Sequence, residues 1–124
     1  MLGKIILWLS TLSFISYGLM CLFSPETPAN YAGLSVVNGN GYAELGAMYG
    51  GLQTGFGVFL LLGALRSDLY RAALTSLVVI VGGLALGRLY STLTGDEAVG
   101  GYTYGAMAYE FATAILAGVA LKKA

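Results

Sequence analysis

From Ile5 to Pro25 the chain carries no charged residue, and from Leu45 to Leu65 it carries none again. A third apolar run begins after Arg71 and reaches Gly95 with Arg88 as its single charge. A fourth extends from Ala98 to Leu121 with Glu110 as its single charge. Each run meets the roughly 20 residues that a helix needs to cross a hydrocarbon core of about 30 Å. The apolar character is continuous and does not alternate, which selects helices over the strands of an outer-membrane barrel. The runs therefore predict an all-α integral membrane four-helix bundle, a single domain over residues 1–124. Its helices fall near 4–23, 42–64, 70–93 and 102–121, with an outer loop over 24–41.

Composition agrees. Hydrophobic residues make up 57% of the 124 residues and charged ones 10%, against roughly 25% charged in an ordinary soluble domain. A chain this short exposes much of its surface, so it has no means of hiding that much apolar area from water, and the lipid bilayer is its natural partner. The formal net charge of zero argues against nucleic acid held through phosphate contacts. No histidine is present, which removes Ser-His-Asp triads, imidazole proton shuttles and histidine metal sites. Cys21 is the single cysteine, so no intrachain disulfide and no Cys-x-x-Cys site can form. It lies within the first apolar run and reads as a buried, inert thiol. No metal site and no cofactor is expected. The bulky Met20 before Cys21 and the lack of a small-x-small cleavage site after the first run mark that run as a retained helix.

Basic residues set the orientation. Lys4 precedes the first helix, Arg66 and Arg71 flank the turn between the second and third, and Lys122 and Lys123 follow the fourth. With four spans these places share one side, while Glu26, Asp96 and Glu97 fall on the other. The positive-inside rule then puts both termini in the cytoplasm. Tyr31, Tyr42, Tyr70, Tyr102, Tyr104 and Trp8 fit interfacial anchors.

In the outer loop, Pro25 and Pro28 stop the first helix, and Asn38-Gly39-Asn40-Gly41 is expected to turn the chain before the second. Tyr31, Leu34, Val36 and Val37 between them suit either a plain interfacial connection or a lid. Small-xxx-small spacings recur at Gly46/Gly50, Gly51/Gly55, Gly83/Gly87 and Gly101/Gly105. Such spacing lets helix backbones approach, either within the chain or between copies of a homo-oligomer.

The informative residues are the charges that a bilayer should exclude. A charged side chain near the centre of a span costs roughly 2.5–3.5 kcal/mol on insertion scales, so it faces a partner or a cavity. Glu44 enters with the second helix, Arg88 lies about two turns from the outer end of the third, and Glu110 slightly over two turns into the fourth. All three belong to the outer half of the membrane, where they can form one cluster. Helical spacing groups Thr103, Ala106, Glu110, Thr113 and Ala117, and it groups Arg88 with Val81, Leu84, Ser91 and Thr92. It also groups Glu44 with Met48, Gly51 and Gly55, leaving Tyr49 and Gln53 on another side, and sets Ser10, Ser13, Tyr17 and Cys21 on one face of the first helix. Tyr90 and Tyr109 are the nearby tyrosines expected to line the same polar interior. Two carboxylates and one guanidinium leave an excess negative charge, which suits a proton, a cation or an acid–base pair; a plain Arg–Glu lock between helices explains the same residues.

The stretch Glu44-x4-Tyr49-Gly50-Gly51-x-Gln53, followed by Gly87-Arg88 and Glu110, resembles an uncharacterised domain-of-unknown-function family of small four-helix bacterial membrane proteins. Where that pattern has an arginine soon after the glutamate, this chain has Leu45-Gly46. The four-helix plan also looks like DoxX-like membrane proteins. What the resemblance implies is that Glu44, Tyr49, Gln53, Arg88 and Glu110 form one ligand-binding site, with no catalytic role attached. Three functions fit these residues. One is a binding or accessory membrane protein with an outward-facing pocket for a small or lipid-like ligand. The second is a proton- or cation-coupled carrier acting as an oligomer, and the third a membrane-embedded acid–base isomerase or cyclase.

Overall fold

A computed structural model describes residues 1–124. The chain is helical throughout, without strands. Four helices are long and apolar enough to cross a membrane: α1 (Leu2–Phe23), α3 (Gly39–Leu65), α4 (Ser67–Thr94) and α5 (Gly101–Lys123). A short helix, α2 (Glu26–Ala32), lies between α1 and α3. By contacts the chain divides into two compact units, Trp8–Leu61 and the combination of Met1–Leu7 with Leu62–Ala124.

In the unit Trp8–Leu61, α1 and α3 pack through glycine. A side chain added at Gly50 would meet Leu22 Cα at 2.9 Å, one at Gly57 would meet Ile15 N at 3.0 Å, and one at Gly18 would press on Thr54. Lipid supplies no hydrophobic drive for helix association, so close backbone approach and its dispersion contacts must hold these helices together. Phe14 and Phe56 add an edge-to-face contact with centroids 4.9 Å apart. Of the small-xxx-small glycines, Gly50 lies at this contact, whereas Gly46, Gly55, Gly83, Gly87, Gly101 and Gly105 have no other group within 4 Å of an added Cβ.

The same unit departs from the expected loop in two ways. Residues 26–32 form α2 because Pro25 supplies a preset φ of −65° at its start and Pro28 falls within the first turn, where a missing N–H costs nothing. It ends at Gly33, in the left-handed region at φ 76°, with the Leu34 N–H donating back to the Ala29 carbonyl at 2.8 Å. Asn38-Gly39-Asn40-Gly41 is not a separate turn but the start of α3. Asn38 Oδ1 accepts from the N–H groups of Asn40 and Gly41 at 3.0 and 3.2 Å, which caps the helix three residues before the expected boundary.

In the other unit, α4 presents Leu74, Leu77, Val81 and Ala85 at steps of three and four, all fully buried. The facing side of α5 buries Met107, Glu110, Thr113, Ala117 and Ala120. A side chain added at Gly82 or Gly118 would reach only ordinary van der Waals contact with Ala114 or Val78, so these glycines face the neighbouring helix without a clash to avoid. Two spans contain π-helical turns, Gly46–Gly51 in α3 and Leu77–Val81 in α4. Each widens the helix locally and re-phases the faces on either side of it.

Candidate functional site

Arg88 and Glu110 meet across α4 and α5. Arg88 Nε donates to Glu110 Oε1 at 3.0 Å and Arg88 Nη2 donates to Oε2 at 2.9 Å, a two-pronged ion pair. Position along the helices makes the meeting feasible. Arg88 precedes the end of α4 at Thr94 by about 9 Å, and Glu110 follows the start of α5 at Gly101 by about 13 Å. Both therefore lie inside the spans and nearer the same helix ends. The spacing within α5 puts Glu110 in line with Met107, Thr113 and Ala117, so it enters the buried face, and its side chain keeps 8% of its surface. Arg88 keeps 29%, because it stands at the margin of the buried stripe of α4. Thr92 Oγ1 donates to the Arg88 carbonyl at 2.8 Å, which satisfies a hydroxyl at membrane depth without a second helix.

The pairing has a physical logic. A carboxylate withdrawn from water costs several kcal/mol, and only a well-oriented opposite charge offsets that. Arginine suits the task because its planar fork matches a carboxylate at both oxygens, which an ammonium cannot do. Chemically the pair offers a fixed carboxylate and an arginine side chain that is not wholly enclosed.

The other expected site residues lie in the unit Trp8–Leu61. Glu44 is exposed on the first turns of α3, and Met48, Gly51 and Gly55 are exposed with it, as the spacing groups them. Tyr49 and Gln53 turn to the other side and are half-buried, beside the buried Gly50 and Gly57. Tyr49 also borders a tight apolar niche with Cys21, Leu34, Leu45, Pro25, Pro28 and Ala29, so that α2 roofs the niche. Sequence reasoning leaves α2 out of the site. The signal available was Pro28-Ala29 placed one turn before Gly33.

Several expected lining residues turn elsewhere. Tyr90 is 70% exposed and Tyr109 39%, so both face outward and not into a polar interior. Tyr90, four residues from the end of α4, can carry its phenol to the membrane surface at no polar cost. Leu84 is likewise exposed, and Ala85, three residues before Arg88, takes its place on the buried face. On α1, Ser10 and Cys21 are buried and Tyr17 half-buried, but Ser13 is exposed. Its hydroxyl donates to the Leu9 carbonyl at 2.9 Å, so it needs no partner across a helix interface.

No curated protein and no solved structure matches the chain. A family model does, over residues 2–121, and its description is a domain of unknown function, DUF4345. That range takes in the first three spans whole, the fourth as far as Leu121, and every candidate site residue. The chain therefore belongs to the DUF4345 family.

Proposed function

We propose that this small membrane protein is a binding or accessory protein that takes a small or lipid-like ligand at the Arg88–Glu110 pair, with both termini in the cytoplasm of a bacterium. The observation that carries the reading is a two-pronged ion pair at membrane depth in which Glu110 is buried while Arg88 keeps part of its surface. A pair that served only to join α4 to α5 could be enclosed on both sides, whereas the Arg88 side chain keeps 29% of its surface. Glu44, Tyr49 and Gln53, in the unit Trp8–Leu61, are candidate ligand-binding residues by the family resemblance. The localisation rests on the basic residues beside the spans.

Native mass spectrometry of protein released from gentle detergent tests this. Wild type is expected to carry a discrete bound mass that is lost in Arg88→Lys, which keeps the charge but not the two-pronged geometry. Glu110→Gln should weaken retention as well. An empty wild-type protein would overturn the reading and leave the pair as a helix–helix lock. A pH-driven flux in liposomes that Glu110→Gln abolishes would replace it with a carrier, and conversion of a supplied lipid that Glu110→Gln abolishes would replace it with an enzyme.

A further inference from the structure

Leaving Arg88 aside, every Lys and Arg of this chain belongs to one end of one unit. Lys4 lies at the start of α1, Arg66 between α3 and α4, Arg71 on the first turns of α4, and Lys122 and Lys123 at the end of α5. Two contacts tie these segments together. Tyr70 packs its ring and hydroxyl against Gly3, so α4 begins beside the start of α1. Arg71 Nη1 donates to the carbonyls of Ala124 at 2.9 Å and Leu121 at 3.4 Å, so α4 begins beside the end of α5 as well. The single acidic residue among these segments, Asp68, is already held by Arg66 at 2.8 Å. Asp96 and Glu97 occupy the opposite end of the same unit, between α4 and α5. The charge of this unit is therefore segregated end to end.

We infer that this basic end is a docking surface for the headgroups of anionic phospholipids. The end of a membrane-length helix stands at headgroup level, where a phosphodiester lies within reach of lysines that flank the hydrocarbon. Lys4, Lys122 and Lys123 are exposed, and Tyr70 packs against Gly3, the neighbour of Lys4 in the chain. Arg66 is neutralised by Asp68, whereas Arg71, held by the carbonyls of Leu121 and Ala124, remains a fixed positive group. The three exposed lysines add the remaining positive charge that a phosphate would meet. Anionic phospholipid, and not a soluble anion, is the occupant that fits, because only a lipid brings its phosphate to this height while its tails cover the exposed apolar faces of α4 and α5. The inference stands independently of any ligand at Arg88 and Glu110.

Delipidated protein would be offered mixed micelles of phosphatidylcholine and phosphatidylglycerol with matched acyl chains, and the retained lipids counted by native mass spectrometry. Wild type should retain phosphatidylglycerol in preference. Each basic residue near an anionic surface contributes roughly a fivefold preference at low salt, so the triple variant K4Q/K122Q/K123Q should lose at least tenfold of it. The charge-preserving K4R/K122R/K123R should keep the preference, and raising the salt should erode it in wild type. Helicity by circular dichroism guards against a folding defect, and the arginine triple keeps the inference testable if the glutamine triple fails to fold. Equal retention of the two lipids by wild type would overturn the inference. So would an unchanged preference in the glutamine triple, or adducts of added inorganic phosphate in place of lipid.

Discussion

At the scale of the residue, the weight falls on Glu110. Its side chain is nearly enclosed and both oxygens are taken by Arg88, so removing either partner has unequal consequences. Arg88→Ala leaves a buried carboxylate without its counter-charge, a change that costs about 3–5 kcal/mol. Glu110→Gln removes the charge that required compensation and leaves a guanidinium that retains some access of its own, so its cost should be smaller. The midpoint of thermal unfolding in detergent should therefore fall in the order wild type, Glu110→Gln, Arg88→Ala. In the double variant Arg88→Ala/Glu110→Gln the loss should be less than the sum of the two singles, a coupling of at least about 1 kcal/mol for residues in contact. Equal losses for the two single variants, adding in the double, would show that the two side chains do not act as a pair. That Arg88 and Glu110 would stand at similar depth was legible in the sequence, since helical rise converts residue number into depth once the span ends are known. The facing of Tyr90 and Tyr109 was not. In a span that is apolar on all sides the period of 3.6 carries little contrast, and a tyrosine is equally at home at the membrane surface or beside a polar group.

At the scale of the element, the spans were legible because charge and proline punctuate them, whereas α2 and the π-helical turns were not. A seven-residue segment containing Pro28 looks like loop by propensity, and it becomes a helix because its buried Pro28 and Ala29 have Cys21, Leu45 and Tyr49 to lie against. Its end depends on Gly33 at φ 76°, a conformation that costs an L-residue about 1–2 kcal/mol. Gly33→Ala should therefore loosen α2, and the readout is Cys21, which is fully buried at the floor of the niche. Alkylation of Cys21 by a small maleimide in detergent should accelerate severalfold in Gly33→Ala and remain slow in wild type; an unchanged rate would mean that α2 does not cover the thiol. The glycines also sort by element. Gly50→Ala sets a Cβ against the backbone of Leu22, which cannot yield as a flexible side chain would, so it should cost about 1–3 kcal/mol. Gly87→Ala adds its methyl group to open space within a helix and should be neutral or stabilising by up to about 1 kcal/mol. Sequence spacing treats these glycines alike. The difference arises from which face of each helix meets a neighbour, and a small-xxx-small pair does not encode that.

At the scale of the whole molecule, the charges outside the spans are sorted by position in the chain. Basic residues cluster where α1 begins, where α3 gives way to α4 and where α5 ends; acidic ones, Asp68 excepted, lie after α1, at the start of α3 and between α4 and α5. A chain threaded four times across a membrane places the first set on one side and the second on the other, and the energetics of insertion retain Lys and Arg on the cytoplasmic side. The orientation we propose follows, and it can be read with single cysteines. In a Cys21→Ala background, Ser67→Cys and Asp96→Cys both introduce an exposed thiol, one at each kind of connection. An impermeant maleimide added to intact cells whose outer barrier admits it should label Asp96→Cys at once, and Ser67→Cys only after the membrane is opened. The reverse pattern would place the basic end outside, and labelling of both thiols in intact cells would contradict either the single crossing by α4 between them or a fixed orientation. The outcome also bears on Arg88 and Glu110. Being nearer the Asp96 end of their helices, they lie in the outer half of the membrane under the first pattern, where a ligand arrives from outside the cytoplasm, and in the inner half under the second.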